Sequence, residues 1–472
     1  MHVALLYPGG MTACWFRVLA TAAALTASVC GQRDALVRAV QDAEARSVRT
    51  GVAVCDSEAN ILFRHRAGEA FAPASNMKLL TAAVVLSGLG ANYEFVTEFL
   101  VEDGALIVRA SADPNWIAGG PNDPAKLFAG LAARLRRRGA GSLRAVQLDA
   151  GTFTGPSRPD TWPQDQLYAY YCAPTGPFVL QQGTFVVGIK AGGGSRAQVS
   201  LVAPAAGYDI RGVVQEVGVR KGATYGAIDE GGAIRVRGKF YRKSPRVEIK
   251  TSMKDPSRWY RDALLHHLAK GGVRLDADGS APSLGVVFVH RTSLLPAVRR
   301  MLEESSNFDA EQCLRVYGAE SVASGSLAGG REALHSGVKA LVGRVPEGVV
   351  IADGSGLSRE NRLTPGLLVV AMYELDQLGL GAVMIDSLPI SGRTGTLSKR
   401  FLGSDLVGKV RAKTGWIRGA SSLSGVVESD DGSRRWFSIL MNYDRSVNGL
   451  NKHLKKIQER IVAAVAGMKG AR

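Results

Sequence analysis

Ala72-Pro73-Ala74-Ser75-Asn76-Met77-Lys78-Leu79-Leu80-Thr81-Ala82-Ala83-Val84-Val85-Leu86 carries a single charge, Lys78, which is also the only charged side chain between Phe71 and Glu94. The run is apolar all round, so it predicts a buried helix that begins near Ser75 and is ended by Gly88 and Gly90. Ser75 and Lys78 are three residues apart and share one face of that helix. Burial disfavours an ammonium ion, so desolvation lowers the lysine pKa toward neutrality. A neutral amine beside a hydroxyl is a general base beside a nucleophile. The plainer reading of the same pair is a helix cap and a snorkelling lysine.

Further along, Ser305-Ser306-Asn307 separates two expected helices, 295–303 and 308–318, and reads singly as a capped turn. Lys413-Thr414-Gly415 lies on the first of three expected strands, 407–414, 421–428 and 436–443, followed by a basic amphipathic helix over 447–468. Short turns join these strands, which predicts an antiparallel sheet with the helix packed on it. Expected strands at 50–55 and 61–65 precede the Ser75 helix. Each motif has a decoy: Ser336-Gly337-Val338-Lys339, Ser446-Val447-Asn448 and Arg393-Thr394-Gly395. The decoys fail on order or context. Ser-x-x-Lys opening a buried helix, then Ser-x-Asn in a turn, then Lys-Thr-Gly on a strand is the motif set of penicillin-binding proteins and serine β-lactamases.

The chain resembles the class C low-molecular-mass penicillin-binding proteins, the D-alanyl-D-alanine carboxypeptidase/endopeptidase type. Pro73 to Ala83, Asp353-Gly354-Ser355-Gly356-Leu357-Ser358-Arg359, Leu388-Pro389-Ile390-Ser391-Gly392 with Gly395-Thr396-Leu397, and Ala412 to Gly415 carry the resemblance. Trp162-Pro163, Tyr170-Tyr171 and Ala173-Pro174 look like the family's inserted region. The likeness implies an α+β fold: a serine β-lactamase/DD-peptidase (transpeptidase-like) domain, with its antiparallel sheet flanked by helices, plus inserted β-rich domains. The 227 residues from Lys78 to Ser305 make room for them. The expected organisation is a signal peptide over 1–30, the peptidase domain from 31–93 and 286–472, one inserted domain from 94–152 and 248–285, and a second from 153–247.

By the same resemblance, Ser75 attacks a D-alanyl carbonyl, Lys78 takes its proton, and Ser305 relays a proton to the leaving amine in one hydrogen-bond network with Asn307 and Lys413. Asn307 also orients the substrate amide. Lys413 adds positive potential and keeps Lys78 neutral by repulsion. The backbone N–H groups of Ser75 and Trp416 form the oxyanion hole. Thr414, Gly415 and Arg359 bind substrate. Many relatives have Thr where this chain has Trp416, so recognition of the terminal carboxylate falls to Thr414, Lys413 and Arg359 or Arg418. Gln182-Gly183 stands where an Asn-containing segment is expected. No Glu is placed for the fast deacylation of a β-lactamase, so β-lactams are expected to persist as acyl-enzymes. The implied partners are peptidoglycan stem peptides and crosslinks, with β-lactams as covalent inhibitors. Two other readings stay open: a catalytically weak peptidoglycan-binding homologue, and a β-lactamase or esterase on the same fold.

Composition bounds these readings. The 472 residues hold 58 Lys and Arg against 42 Asp and Glu, and 58 − 42 gives +16. So basic a chain suits an anionic environment or simply has a solvated basic surface. A nucleic-acid partner would account for the charge alone and is not expected, because residues 1–30 read as an export signal: Arg17, a short apolar run, then small side chains. A start at Met11 would make that signal more compact. Lipidation at Cys30 is not favoured, since Ala27-Ser28-Val29 makes a poor lipobox. The expected location is the periplasm or cell-wall space, with no transmembrane anchor. There is no Walker loop, Rossmann glycine pattern, GxSxG or HExxH, and no cofactor or metal is expected. Cys55, Cys172 and Cys313 are expected to be buried small hydrophobes. His266-His267 are expected at the surface.

Overall fold

The computed structural model describes residues 27–204, 208–429 and 432–468, with the side chains of 27–30 left out. Residues 1–26 of the expected 1–30 signal, and the Cys30 side chain, lie outside the described residues.

The chain opens with α1 (Ala27–Glu44), β1 (Arg49–Asp56), β2 (Ile61–His65) and α2 (Met77–Leu89). Then follow β3 (Glu94–Glu102), β4 (Ala105–Arg109), α3 (Pro124–Arg137), β5 (Ser142–Leu143), β6 (Ala145–Asp149), β7 (Thr184–Lys190) and β8 (Gln198–Ala203). The middle continues with β9 (Asp209–Val217), β10 (Tyr225–Asp229), β11 (Ala233–Tyr241), β12 (Val247–Ser252), α4 (Pro256–Lys270), β13 (Arg274–Leu275) and β14 (Gly285–Ser293). Helices α5 (Leu295–Glu303), α6 (Asn307–Val322), α7 (Leu327–Val342), α8 (Pro365–Gln377) and α9 (Gly381–Asp386) precede β15 (Val410–Ile417), β16 (Ala420–Glu428), β17 (Arg434–Asn442) and α10 (Leu450–Ala466).

The main sheet runs β15-β16-β17-β1-β2, antiparallel throughout. Its C-terminal strands thus pair with the hairpin that precedes α2. One face packs on α1 and α10, whose buried stripe of Leu454, Ile457, Ile461 and Val465 recurs at helical spacing. The other face packs on α2 and α5 to α9. Met77 to Leu86 are all buried, as a helix apolar on every side requires. Between α2 and α5, β14-β3-β4-β6 packs on α3 and α4. The sheets β12-β7-β8 and β10-β11-β9 enclose a separate core around Phe185, Val236, Phe240 and Trp259.

Two local expectations are corrected. The helix expected to begin near Ser75 becomes α-helical only at Met77: Ala74 takes a left-handed φ of 48°, and Ala74–Asn76 form a 3-10 turn that leads into α2. His267 is buried against the Phe128 ring, because α4 turns that face onto α3, whereas its neighbour His266 is exposed. Cys55, Cys172 and Cys313 are free and buried. Among the described residues, no helix is long and apolar enough to cross a membrane.

Candidate active site

The site lies where α2, the turn before α6, a turn at 353–358 and the edge strand β15 converge. Ser75 is half-buried, and Lys78 is fully buried one turn below it. Lys78 Nζ donates to Ser75 Oγ at 3.2 Å, Asn307 Oδ1 at 2.6 Å and the Ser355 carbonyl at 2.5 Å. Burial pulls its pKa down to about 8, against the opposing pull of the Asp353 and Glu311 carboxylates. Asn307 in turn donates Nδ2 to the Tyr171 carbonyl at 2.9 Å.

Ser305 sits in the α5–α6 turn with a left-handed φ of 65°, and Ser306 caps α6 by accepting from Asp309 N. Asp309 is clamped by Arg300 at 2.6 Å and by Gln182 Nε2 at 2.8 Å, so the unexpected Gln182 serves as a brace behind Asn307. The Ser305 hydroxyl has no hydrogen-bond partner among the described residues, so the expected single network of Ser305, Asn307 and Lys413 is not assembled here. Lys413 is fully buried and, among the described residues, donates to the Thr414 carbonyl alone, at 2.8 Å.

Burial and then the Lys78 charge push Lys413 well below the usual lysine range. Lys78 has three acceptors, with two carboxylates nearby, whereas Lys413 has the Thr414 carbonyl.

Strand β15 presents its outer backbone edge to the site. Ala412 N–H donates outward to the Pro389 carbonyl, and with a period of two Thr414 and Trp416 N–H point the same way. Trp416 is 58% exposed. Thr414 Oγ1 bonds to Thr396 Oγ1 at 2.9 Å. Gly415 is required by packing: a Cβ there would meet Ser422 Oγ at 2.1 Å and the Pro73 carbonyl at 2.9 Å. Ser422 Oγ lies 2.7 Å from both Pro73 O and Asn76 Oδ1, which ties the strand to the Ser75 turn. Arg359 makes no contact with Ser75 or Lys78. Its guanidinium donates to the Arg418 carbonyl at 2.7 Å, and burial and the charges of Arg445 and Arg418 lower its pKa. The three arginines gather at the β15–β16 turn, beside Trp416. Ser336 and Lys339 are exposed on α7, and Ser446 and Asn448 are exposed before α10, where Asn448 Oδ1 accepts from Arg418 at 3.4 Å.

The sequence reading missed the residues that hold the 353–358 turn. Glu311 accepts from Gly354 N at 3.0 Å and Ser355 N at 2.8 Å. Asp353 accepts from Gly356 N, Ser358 N, Asn361 Nδ2 and Trp162 Nε1, at 2.6, 2.6, 2.7 and 2.9 Å. The turn then hands its carbonyls to α2: Gly354 O to Thr81 Oγ1 at 2.7 Å and Ser355 O to Lys78. The Asp353-Gly354-Ser355-Gly356 stretch is therefore the clamp on the lysine. Glu311 is buried, and its pKa is pushed up to about 8 by burial and by Asp353. Both its oxygens are engaged with the turn, not with Ser75, so it is not arranged like a deacylating carboxylate. Among the described residues no cluster of His, Cys, Asp and Glu is placed to hold a metal.

The D-Ala-D-Ala carboxypeptidase 3 (S13) family pattern matches residues 32–464. The chain belongs to this family of serine peptidases. A relative from Actinomadura sp. (strain R39) called D-alanyl-D-alanine carboxypeptidase is 28% identical over 437 residues, covering 87% of this chain and 80% of that one. The crystal structure of penicillin-binding protein 4 from Haemophilus influenzae covers 92% of this chain and 99% of its own, with a TM-score of 0.76 at 20% identity. A second structure of that protein, complexed with a β-lactam, covers 91% and 98%, with a TM-score of 0.71 at 19% identity. At these identities the structural likeness shows the fold alone.

Proposed function

We propose that Ser75 is the nucleophile of an exported serine DD-peptidase that hydrolyses D-Ala-D-Ala termini, D-Ala-meso-diaminopimelate crosslinks, or both, in peptidoglycan peptides. The observation that carries this reading is the contact of Lys78 Nζ with Ser75 Oγ at 3.2 Å, with the lysine fully buried and its pKa lowered to about 8. Neutral Lys78 takes the hydroxyl proton as Ser75 Oγ adds to the D-alanyl carbonyl carbon. The negative charge that develops on the carbonyl oxygen is met by the N–H groups of Ser75 and Trp416. The C–N bond then breaks, and the leaving amine takes a proton through Ser305, whose unpartnered hydroxyl suits a relay formed only with substrate present. Asn307 holds both Lys78 and the substrate amide. Water hydrolyses the Ser75 ester, and its proton returns through Lys78.

Arg359, with Arg418 beside it, and Thr414 supply the contacts to the substrate's free carboxylate. β-Lactams acylate the same serine, a reading supported by the β-lactam complex of the Haemophilus influenzae protein. The export reading rests on residues 1–30, with 31–93 and 286–472 as the peptidase domain and 94–152 with 248–285, and 153–247, as two inserted domains.

A fluorescent penicillin followed by peptide mass spectrometry tests the reading. Stable label on Ser75, absent from Ser75→Ala, is the expected result. No label on folded protein would overturn it, and rapid turnover of nitrocefin would favour a β-lactamase instead.

A further inference from the structure

The positive charge of the chain is not evenly spread. Residues 184–252 hold twelve Lys and Arg against five Asp and Glu, so 12 − 5 places +7 of the total +16 in this stretch. The β10-β11-β9 sheet concentrates it on one face. Along β11, Ile234, Val236 and Phe240 point into the core, and Arg235, Arg237 and Lys239 alternate with them on the exposed side. The parallel register sets Arg211 of β9 beside Arg235, Val213 beside Arg237 and Gln215 beside Lys239. On the other side Ile228 of β10 pairs with Arg235. The strand positions of this face therefore carry four cations against one acid, Asp209 at the start of β9, with Val213 and Ile228 also exposed. Glu230, in the turn between β10 and β11, pairs with Arg235 at 2.6 Å. Arg211, Arg237 and Lys239 have no carboxylate partner among the described residues.

Like charges directly opposite one another on a sheet destabilise it. The stripe adds nothing to the core beneath it, and beyond the Glu230–Arg235 pair its repulsion is offset when an anion meets it. Alternate residues along a strand lie about 6.6 Å apart and neighbouring strands about 4.8 Å apart, so the cations form a patch suited to several carboxylates at once. We propose that this face is a second, non-catalytic contact with the substrate polymer, on which carboxylates of peptidoglycan stem peptides dock while another peptide occupies the Ser75 site. The inference rests on the peptidase reading above and adds to it a polymer-docking surface distant in sequence from the catalytic motifs.

The test uses the full mature chain and insoluble peptidoglycan stripped of phosphate-bearing wall polymers and lipid. The variant is Arg211→Gln, Arg235→Gln, Arg237→Gln and Lys239→Gln together, all at exposed positions, with thermal unfolding to check the fold. Wild type is expected to co-sediment with the polymer, and the variant to lose about tenfold or more in apparent affinity, with the difference shrinking as salt rises. Amidating the polymer's carboxylates should weaken wild type in the same way. Penicillin acylation and turnover of a short soluble D-Ala-D-Ala peptide should be unchanged in the variant. Equal sedimentation of variant and wild type would overturn the proposal, as would binding that survives amidation. Binding that needs the phosphate-bearing polymers or anionic vesicles would also overturn it, by naming another occupant. Acylation is read separately, so a failure of Ser75 to label would count against the peptidase reading alone.

Discussion

Lys78 Nζ lies 2.5 Å from the carbonyl oxygen of Ser355, 277 residues further along the chain. This acceptor favours the ammonium form, as do Asn307 Oδ1 and the two nearby carboxylates, while burial opposes it and wins, leaving the pKa at about 8. The penicillin acylation rate is therefore expected to rise with pH along a limb centred near 8, because only the neutral amine accepts the Ser75 proton. The same shift bears on stability. The lysine pKa is lower in the folded chain than the ordinary 10.5, so between about 8 and 10.5 the unfolded chain binds more protons, and this group makes stability rise with pH across that window. Stopped-flow acylation against pH checks the first expectation. A limb centred near 10 would show that burial leaves the base unperturbed.

Glu311 shifts the opposite way. Its carboxyl keeps its proton up to about 8 rather than 4.5, so between those values the folded chain binds more protons and stability falls as pH rises. Glu311→Gln keeps an amide oxygen for the Gly354 and Ser355 N–H groups and removes the titration. The variant is expected to show a flatter dependence of Tm on pH over 4.5 to 8. Once ionised, Glu311 raises the Lys78 pKa, so its removal should also move the upper part of the acylation limb to lower pH. Paired Tm and acylation profiles decide. Superimposable curves for the two proteins would show that Glu311 does not act on Lys78.

How much of this was legible in the sequence depends on the length scale of each signal. Ser75 and Lys78 are three residues apart on an apolar run, and nothing beyond local chemistry is needed to see a nucleophile and a base. Ser305, Asn307 and Lys413 are legible only through order and context. The residues behind them are hidden for a physical reason. Glu311 is one of three acids on its helix, a pattern that reads as a solvated face, and only the tertiary fold reveals that α6 is buried and that this carboxylate meets two peptide N–H groups from residues 354 and 355. The turn that places Ser75 before α2 was hidden as well, since it packs on a residue far along the chain: a Cβ on Gly356 would sit 1.9 Å from the Ala74 carbonyl. The pairing of β1 with β17 joins residues almost 400 apart, and no local pattern encodes it.

Trp416 departs from the family pattern at an exposed position, where replacement leaves the core untouched. Trp416→Thr keeps the outward backbone N–H and restores a hydroxyl toward the carboxylate of a D-Ala-D-Ala terminus. Penicillin acylation is expected to change less than carboxypeptidase turnover, and kcat/KM on a short D-Ala-D-Ala peptide to rise about tenfold or more, the worth of one hydrogen bond to a charged group. Steady-state release of D-alanine measures it. A fall in turnover would show instead that the indole contacts substrate.

Trp162 comes from the irregular stretch between β6 and β7, yet its indole N–H donates to the Asp353 carboxylate at 2.9 Å, with both side chains buried. Arg315 anchors the same stretch to α6 through Thr175 Oγ1 at 2.8 Å and the carbonyls of Thr154 and Pro156. The stretch also supplies the Tyr171 carbonyl that fixes Asn307. Trp162→Phe keeps most of the apolar volume and removes one donor from a buried carboxylate, which should cost about 1.5 to 3 kcal/mol of stability. Asp353 sets the turn that carries Ser355, so the acylation rate should fall while noncovalent affinity for the penicillin changes little. Chemical denaturation with single-turnover kinetics separates the two effects. A loss of stability with no loss of acylation would confine Trp162 to the core and uncouple the irregular stretch from Lys78.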